Sequence, residues 1–387
     1  MRVPLSYNMK NLLARKVTTA LGAGGIALVV VIFMSVLMLA HGFKKTLVGT
    51  GSEENAVVLR SGATSELVSS IDREQAAIVK ARPEVSLDAT GRPLAAAEMI
   101  FIVNILRRRD NEPSNVVVRG VGPESMEMRP IRITEGRMWK PGLSEAIAGK
   151  LIAEKYKGCG LGETITMGGR DWTVVGIFEA GGTGFESEIW GDADQTMAAI
   201  RRASYSSVTV RLREPAGLAP LKESLEGDPR FNVQVKSERA FYEEQSRQIS
   251  MFIYFLGLFV TVVFSIAAVL AAMLTMFATI GSRTAEIGTL RALGFPRRSI
   301  LTSFVVEATL LGLVGGLIGI LPGAILREVS FSTTNWTSFS EVAWKLSLTP
   351  QILLASLLFA AFMGFAGGLV PAFRAARLKI VDALAGL

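Results

Sequence analysis

Residues 248–282 read QISMFIYFLGLFVTVVFSIAAVLAAMLTMFATIGS, 35 residues without one Lys, Arg, Asp or Glu. A hydrocarbon core about 30 Å thick needs roughly 20 apolar residues in a helix, so this stretch is more than long enough to cross. Working outward, three further windows share the property: Val17–Phe43, Ser299–Leu326, interrupted only by Glu307, and Leu346–Phe373. Between the first two lies a mixed, charged segment of about 200 residues, the size of an ordinary domain. The fold class predicted is therefore a membrane α-helical protein with four transmembrane helices and a large α+β domain facing water. The chain's 50% apolar content over 387 residues is an average of two unlike parts. That content excludes disorder, the 38 Gly without a period exclude collagen, and a single Cys excludes a disulfide scaffold.

Charge gives orientation. The segments 1–19, 283–298 and 374–387 hold 11 of the 41 basic residues but only 2 of the 34 acidic ones. Positive loops stay cytoplasmic, which puts both termini and the 283–298 loop inside and the large domain outside. The net charge of +7 thus belongs to the membrane flanks and does not signal nucleic-acid binding. The domain limits expected are a cytoplasmic amphipathic helix at 1–19, a first span at 20–43, an outer domain at 44–247 and a second span with a stalk at 248–282. A cytoplasmic helix at 283–298 follows, then a third span at 299–326, an extracytoplasmic loop at 327–348, a fourth span at 349–372 and a cytoplasmic tail at 373–387. In 4–16, Leu5, Met9, Leu12 and Leu13 share one helical face, which fits a helix lying on the inner membrane surface or a plain basic flank. At 1.5 Å per residue the second window exceeds the bilayer, so its helix either projects outward as a stalk or tilts.

Within the outer domain, strands are expected at 56–60, 116–121, 187–190, 207–213 and 231–235, and weakly at 84–89. Helices are expected at 70–80, 144–156, 193–202 and 215–226. Alternating runs at 163–167 and 171–178, joined by Gly168-Gly169-Arg170, predict a hairpin. A β-α-β set opens the domain and another closes it, so one subdomain is expected to carry a second, β-rich one as an insertion. Cys159 has no partner for a disulfide and reads as structural or incidental; His41 has no second His for a metal site and reads as an interfacial side chain.

Small residues recur every fourth position at Gly315, Gly319 and Gly323 and at Ala360, Gly364 and Gly368. Such faces let helices approach closely, within the chain or between two copies. Glu307 is the ionisable group inside a span, open to structural pairing (with Thr302, Ser303 or a neighbouring helix) or to a substrate or gating role. In the loop 282–298, Ile287, Leu290 and Leu293 share a side, Arg283, Glu286 and Arg291 add charge, and Gly294 and Pro296 stop the helix. A short helix across the cytoplasmic face could receive force from a soluble partner or rest as a polybasic hinge on lipid.

The run SRTAEIGTLRALGFPRRSIL at 282–301 resembles the coupling helix of the MacB/FtsX-type ABC transporter permeases, a group that includes macrolide exporters and lipoprotein-releasing permeases. The ending PAFRAARLKIVDALAGL resembles the same family's C-terminal signature, and 144–190, SEAIAGKLIAEKYKGCGLGETITMGGRDWTVVGIFEAGGTGFESEIW, its periplasmic core domain. The resemblance implies a half-transporter in the bacterial inner membrane that forms a homodimer and binds an ATPase subunit dimer. Its ATPase-coupling interface would comprise Arg283, Glu286, Ile287, Leu290, Arg291, Leu293 and Gly294. It also implies a porter-like subdomain at about 52–92 and 205–240, an inserted β-rich one at about 93–204, and ATP-driven mechanotransmission. Some relatives use a periplasmic adaptor and an outer-membrane channel; an FtsX-like regulator of an extracytoplasmic enzyme and a lipoprotein-releasing permease are the alternatives. No G-x-x-x-x-G-K-[ST] cradle for phosphate, no G-x-S-x-G elbow and no zinc spacing occur in the sequence. The chain is therefore expected to be no enzyme and to bind no cofactor, ATP and Mg residing in the partner.

Overall fold

The computed structural model describes residues 16–326, 330–335, 340–380 and 383. Residues 4–15 of the expected amphipathic helix lie outside that set, as do 381–382 and 384–387 of the tail. The chain divides into two compact units, one of residues 1–41, 252–329 and 346–387, the other of 42–251 and 330–345.

The first unit is helical. Helix α1 is Lys16–Val48, and the second unit's elements β1 to β10 and α2 to α6 follow before α7, Glu238–Gly281. Then come α8, Thr284–Ala292, α9, Arg297–Ile325, and α10, Pro350–Ala376. Helices α1, α7, α9 and α10 are each long and apolar enough to cross a membrane. The stalk expected at 248–282 is part of a helix of 44 residues that begins ten residues earlier, directly after the last strand of the other unit. Local chemistry sets the helix ends: Gly294, at φ 93°, closes α8 in a left-handed conformation that suits glycine, and Pro296 caps α9. The Thr349 hydroxyl accepts from the Ile352 N–H at 3.3 Å, with Pro350 in the first turn of α10.

The second unit is α+β. Its strands are β1 Asn55–Arg60, β2 Ala95–Leu106, β3 Pro113–Val121, β4 Arg132–Gly136, β5 Glu145–Gly149, β6 Thr164–Met167, β7 Arg170–Glu179, β8 Glu188–Asp192, β9 Ser207–Arg211 and β10 Val233–Ser237. Its helices are α2 Arg73–Lys80, α3 Glu124–Met128, α4 Lys150–Lys155, α5 Ala193–Ala199 and α6 Leu218–Glu226. The strands form one sheet in the order β10-β1-β9-β2-β3-β8-β5-β7-β4, with β6 paired to β7. The predicted hairpin is present, Thr164 to Met167 opposite Thr173 to Arg170, with Gly168 and Gly169 both at positive φ.

Three expectations need correction. The helix at 144–156 is a strand followed by a short helix: Ala146, Ile147 and Ala148 are fully buried between β7 and β8, and a pairing site on both edges overrides alanine's helical preference. The weak strand at 84–89 makes only isolated bridges, Val85 with Leu212 and Leu87 with Pro93. The loop at 327–348 contains a hairpin, β11 Ser330–Asn335 with β12 Ser340–Lys345. The longest strand, β2, went unpredicted; it pairs with β9 through 95–98 and with β3 through 99–106. The change from one subdomain to the other, expected at about 92–93, falls inside β2 a few residues later, and the β-rich part continues the first subdomain's sheet. Apolar clusters mark the two parts, one around Val58, Val210 and Leu221 and one around Val118, Trp172 and Ile189, and a third, with Val57, Leu59, Ile147, Phe178 and Trp190, joins them.

Candidate functional site

Helix α8 is amphipathic across its width. Its inner face, Ile287 with Leu290 beside it, joins a cluster made by the end of α7 (Met276, Ile280), the start of α9 (Ile300, Phe304) and the end of α10 (Ala372, Ala375). Its outer face presents Glu286, Thr289, Ala292, Leu293 and Gly294, with Arg297 and Arg298 beyond. Leu293 is 67% exposed, an uncovered leucine beside basic side chains at the tip of the loop.

Arg283 stands at the N-terminus of α8 and is buried. Its Nε donates to Glu286 Oε2 at 2.7 Å and its Nη1 to Glu307 Oε2 at 3.0 Å, while its guanidinium lies 5.1 Å from the centre of the Phe304 ring. The Glu307 side chain is 6% exposed. At the other end of α8, Arg291 Nη1 donates to the carbonyl of Ala376 at 3.2 Å. The loop helix is thus fastened at its start to α9 and at its end to the last residue of α10.

This divides the residues expected to meet an ATPase. Leu293, Gly294 and Glu286 are exposed, Arg291 and Leu290 are half-buried, and Arg283 and Ile287 are buried. Arg283 and Ile287 therefore belong to the buried underside of the helix. For Arg283 the reason is energetic: a guanidinium beside a buried carboxylate stays with it, because exposing either alone costs several kcal/mol.

The glycine faces are filled within the chain. A methyl added at Gly315 would meet the carbonyl oxygen of Ala23 at 2.7 Å, one at Gly319 that of Ala27 at 2.6 Å, and one at Gly323 the Met34 side chain at 2.8 Å. That face of α9 is thus occupied by α1. Gly364 and Gly368 meet Ala308, and Gly312 and Gly316 meet Ala360, so the other face of α9 is occupied by α10. Of the two uses open to these stripes, packing inside the chain is the one the structure adopts.

The α+β unit holds a second ionic cluster, which sequence reasoning missed. Arg119 on β3 donates from Nε to Glu188 Oε2 at 2.7 Å, and from Nη1 to Glu66 Oε1 at 2.9 Å and Glu98 Oε2 at 2.7 Å. Arg129 donates from Nη1 to Glu98 Oε1 at 2.5 Å and from Nη2 to Glu238 Oε1 at 3.0 Å. Phe185 lies against both guanidiniums, 5.4 Å from Arg119 and 4.6 Å from Arg129. Ser207, Ser125, Asn55 and the Trp190 indole N–H also donate to these carboxylates. All six charged side chains are buried. Burial lifts the Glu66 carboxyl above the ordinary 4.5, Arg119 offsetting it only in part. Burial acts upward on Glu98 too, but there Arg129 and Arg119 outweigh it and hold it below 4.5. The legible signal was a lone Arg inside the apolar run VVVRGV and a lone Glu inside AAAEMIFIV. A cavity of about 50 Å³ adjoins the cluster, lined in part by Thr50, Ser65, Glu66 and Tyr242. It has room for a few waters and is far below the several hundred Å³ of a small-molecule pocket. Cys159 is buried in an apolar core, and burial pushes its thiol up to about 12, which leaves it unreactive at neutral pH. Among the described residues no group of His, Cys, Asp or Glu is arranged to hold a metal ion.

The model of the MacB-like periplasmic core domain matches residues 19–227, and that of the FtsX-like permease C-terminal matches residues 258–380. The chain belongs to the MacB/FtsX family of ABC-type permeases. The macrolide export ATP-binding/permease protein MacB of Neisseria gonorrhoeae is 26% identical over 290 residues, covering 69% of this chain and 43% of that protein. An uncharacterized ABC transporter permease, YknZ, of Bacillus subtilis is 23% identical over 90% of this chain and 96% of its own length. The MacB of Hahella chejuensis is 26% identical over 96% of this chain and 58% of its own. The chain spans less than half the length of the Neisseria relative it matches. The periplasmic region of MacB from Actinobacillus actinomycetemcomitans aligns over 53% of this chain and 94% of its own with a TM-score of 0.37 and 12% identity. In MacB/FtsX terms, α8, Arg283 and Glu307 all lie in the FtsX-like segment, and the Arg119 cluster lies in the core-domain segment except for Glu238, which falls between the two matches.

Proposed function

We propose that this chain is the permease subunit of an ABC transporter that couples ATP hydrolysis on a separate ATPase subunit to export, or to extracytoplasmic handling, of a substrate. The observation that supports the reading best is α8 itself. Its inner face is keyed into three spanning helices and its outer face, centred on Leu293, is exposed among the described residues. A helix fixed on one side and open on the other is suited to receive force from a soluble partner. The basic flanks support a topology with this surface and the flanking segments 1–19 and 374–387 on the cytoplasmic side of a bacterial inner membrane and the α+β unit outside. ATP and Mg are then bound by the partner's ATPase dimer. A second permease copy completes the assembly through faces other than the glycine stripes, which the chain's own helices fill. Closure of the ATPase dimer moves α8, and the 44-residue α7 carries that movement toward the α+β unit, where an adaptor or channel partner would respond.

Full-length chain reconstituted with its cognate ATPase tests this. The complex is expected to hydrolyse ATP at a rate the permease alters severalfold, and Leu293→Asp is expected to abolish association. An ATPase that ignores the wild-type chain overturns the reading. Leu293→Asp is cleaner than Glu286→Arg, because Glu286 also accepts from Arg283, and a second arginine there would disturb the helix from beneath.

A further inference from the structure

Glu307 is a buried acid within a spanning helix, and the docking surface makes no use of it. Its partner Arg283 belongs to the turn where α7 ends and α8 begins. Three elements meet at that guanidinium: α7 through the turn, α8 through Glu286 at 2.7 Å, and α9 through Glu307 at 3.0 Å. The Phe304 ring, one turn before Glu307, closes over it at 5.1 Å. Apolar contact alone already holds α8 against the bundle, through Ile287 among Met276, Ile280, Ile300 and Phe304. Apolar contacts are tolerant of sliding, because they have no direction. A guanidinium shared between two carboxylates has fixed geometry and, in the membrane-facing interior, no alternative partner in water.

We propose that Arg283 and Glu307 form a clasp that makes the loop helix and the third span move as one body, so that Glu307 is a positioning residue for energy coupling and not a substrate or gating group. The proposal rests on the reading of α8 as the ATPase docking helix. The clasp lies on the buried side of α8, away from Leu293, so binding of the ATPase and transmission of its motion are separable. Arg291, bonded to the Ala376 carbonyl, steadies the far end of the helix, which leaves the Arg283 end as the point where α8 grips a spanning helix through side chains of opposite charge.

The test uses the full chain in lipid nanodiscs with its cognate ATPase, measuring ATPase affinity and permease-dependent change in the hydrolysis rate separately. Removing one charge strands the other, so the informative variant is the double substitution Arg283→Met with Glu307→Leu, which removes the pair without leaving a buried ion. It is expected to reach the membrane at wild-type level and to bind the ATPase within about twofold. The permease-dependent change in rate is expected to fall about tenfold, and Glu307→Asp to retain most of it. A double variant that alters hydrolysis as the wild type does overturns the clasp, as does one that loses ATPase affinity together with coupling. Leu293→Asp separates the two ideas: if it still binds the ATPase, the docking reading fails, whatever the double variant does.

Discussion

Both units bury charge, in the same ratio of guanidiniums to carboxylates but in different surroundings. In the α+β unit two guanidiniums face four carboxylates, and serine, asparagine and indole donors supply what the arginines do not. In the helical unit one guanidinium faces two carboxylates at the edge of a short helix whose other face carries the exposed Leu293. The first cluster is buried and joins distant strands with the first residue of α7, which is the arrangement of a structural lock. The second sits where an uncovered surface begins. A buried ion pair adds little net stability over apolar packing, yet breaking it is costly; its contribution is therefore a fixed geometry, and the surroundings decide what that geometry serves.

The largest effect expected from this contrast is at Arg119. Arg119→Met leaves Glu66, Glu98 and Glu188 with a shared partner gone and is expected to destabilise the chain by about 3–5 kcal/mol, seen as early unfolding in a denaturant melt of the full chain. Glu307→Gln keeps a hydrogen-bonding group of nearly the same shape and is expected to cost about 1–2 kcal/mol. An equal loss at both sites would erase the distinction between lock and clasp.

Packing gives the next contrast. Gly364→Val places atoms against the Ala308 backbone and is expected to cost about 1–3 kcal/mol as α9 and α10 are forced apart. Gly24→Ala meets nothing within 4 Å and is expected to leave the melting temperature of detergent-purified protein unchanged.

The pH response is smaller and has a definite sign. Glu66 has a raised pKa, so its contribution to stability is full below the ordinary 4.5 and declines as pH rises through its folded value. Glu98 has a lowered pKa, so its contribution is full above 4.5 and declines as pH falls through its folded value. Glu66→Gln removes only the first, and its stability relative to wild type is expected to improve as pH rises above 4.5 in melts at a series of pH values. A difference that shrinks over the same range would reverse the assignment. The smallest effect is none at all: Cys159 is expected to resist maleimide at pH 7 in the folded chain and to react after denaturation.

Much of this was legible before any coordinates. Runs without charge marked the four long helices because a membrane filters residues one by one, and Gly294 with Pro296 marked the end of α8 because backbone geometry is local. Strand β2 was not legible: Ala95 to Ala97 favour a helix in isolation, and only pairing with β9 and β3 makes them strand. The loop residues were found as a group but not sorted, since one side of α8 faces inward only because Ile300, Phe304 and Ala375 are there to meet it. The same holds for the glycine stripes, whose spacing states that something approaches closely without naming the neighbour. Glu307 was legible as an anomaly, and its partner, 24 positions away, was not.

The account's central claim is that the outer face of α8 receives an ATPase. The most direct measurement is the affinity of the cognate ATPase for the nanodisc-embedded chain, wild type against Leu293→Asp, with Gly24→Ala as a control of equal handling. The account predicts tight association for wild type and Gly24→Ala and at least a tenfold loss for Leu293→Asp. Equal affinity for all three would contradict it.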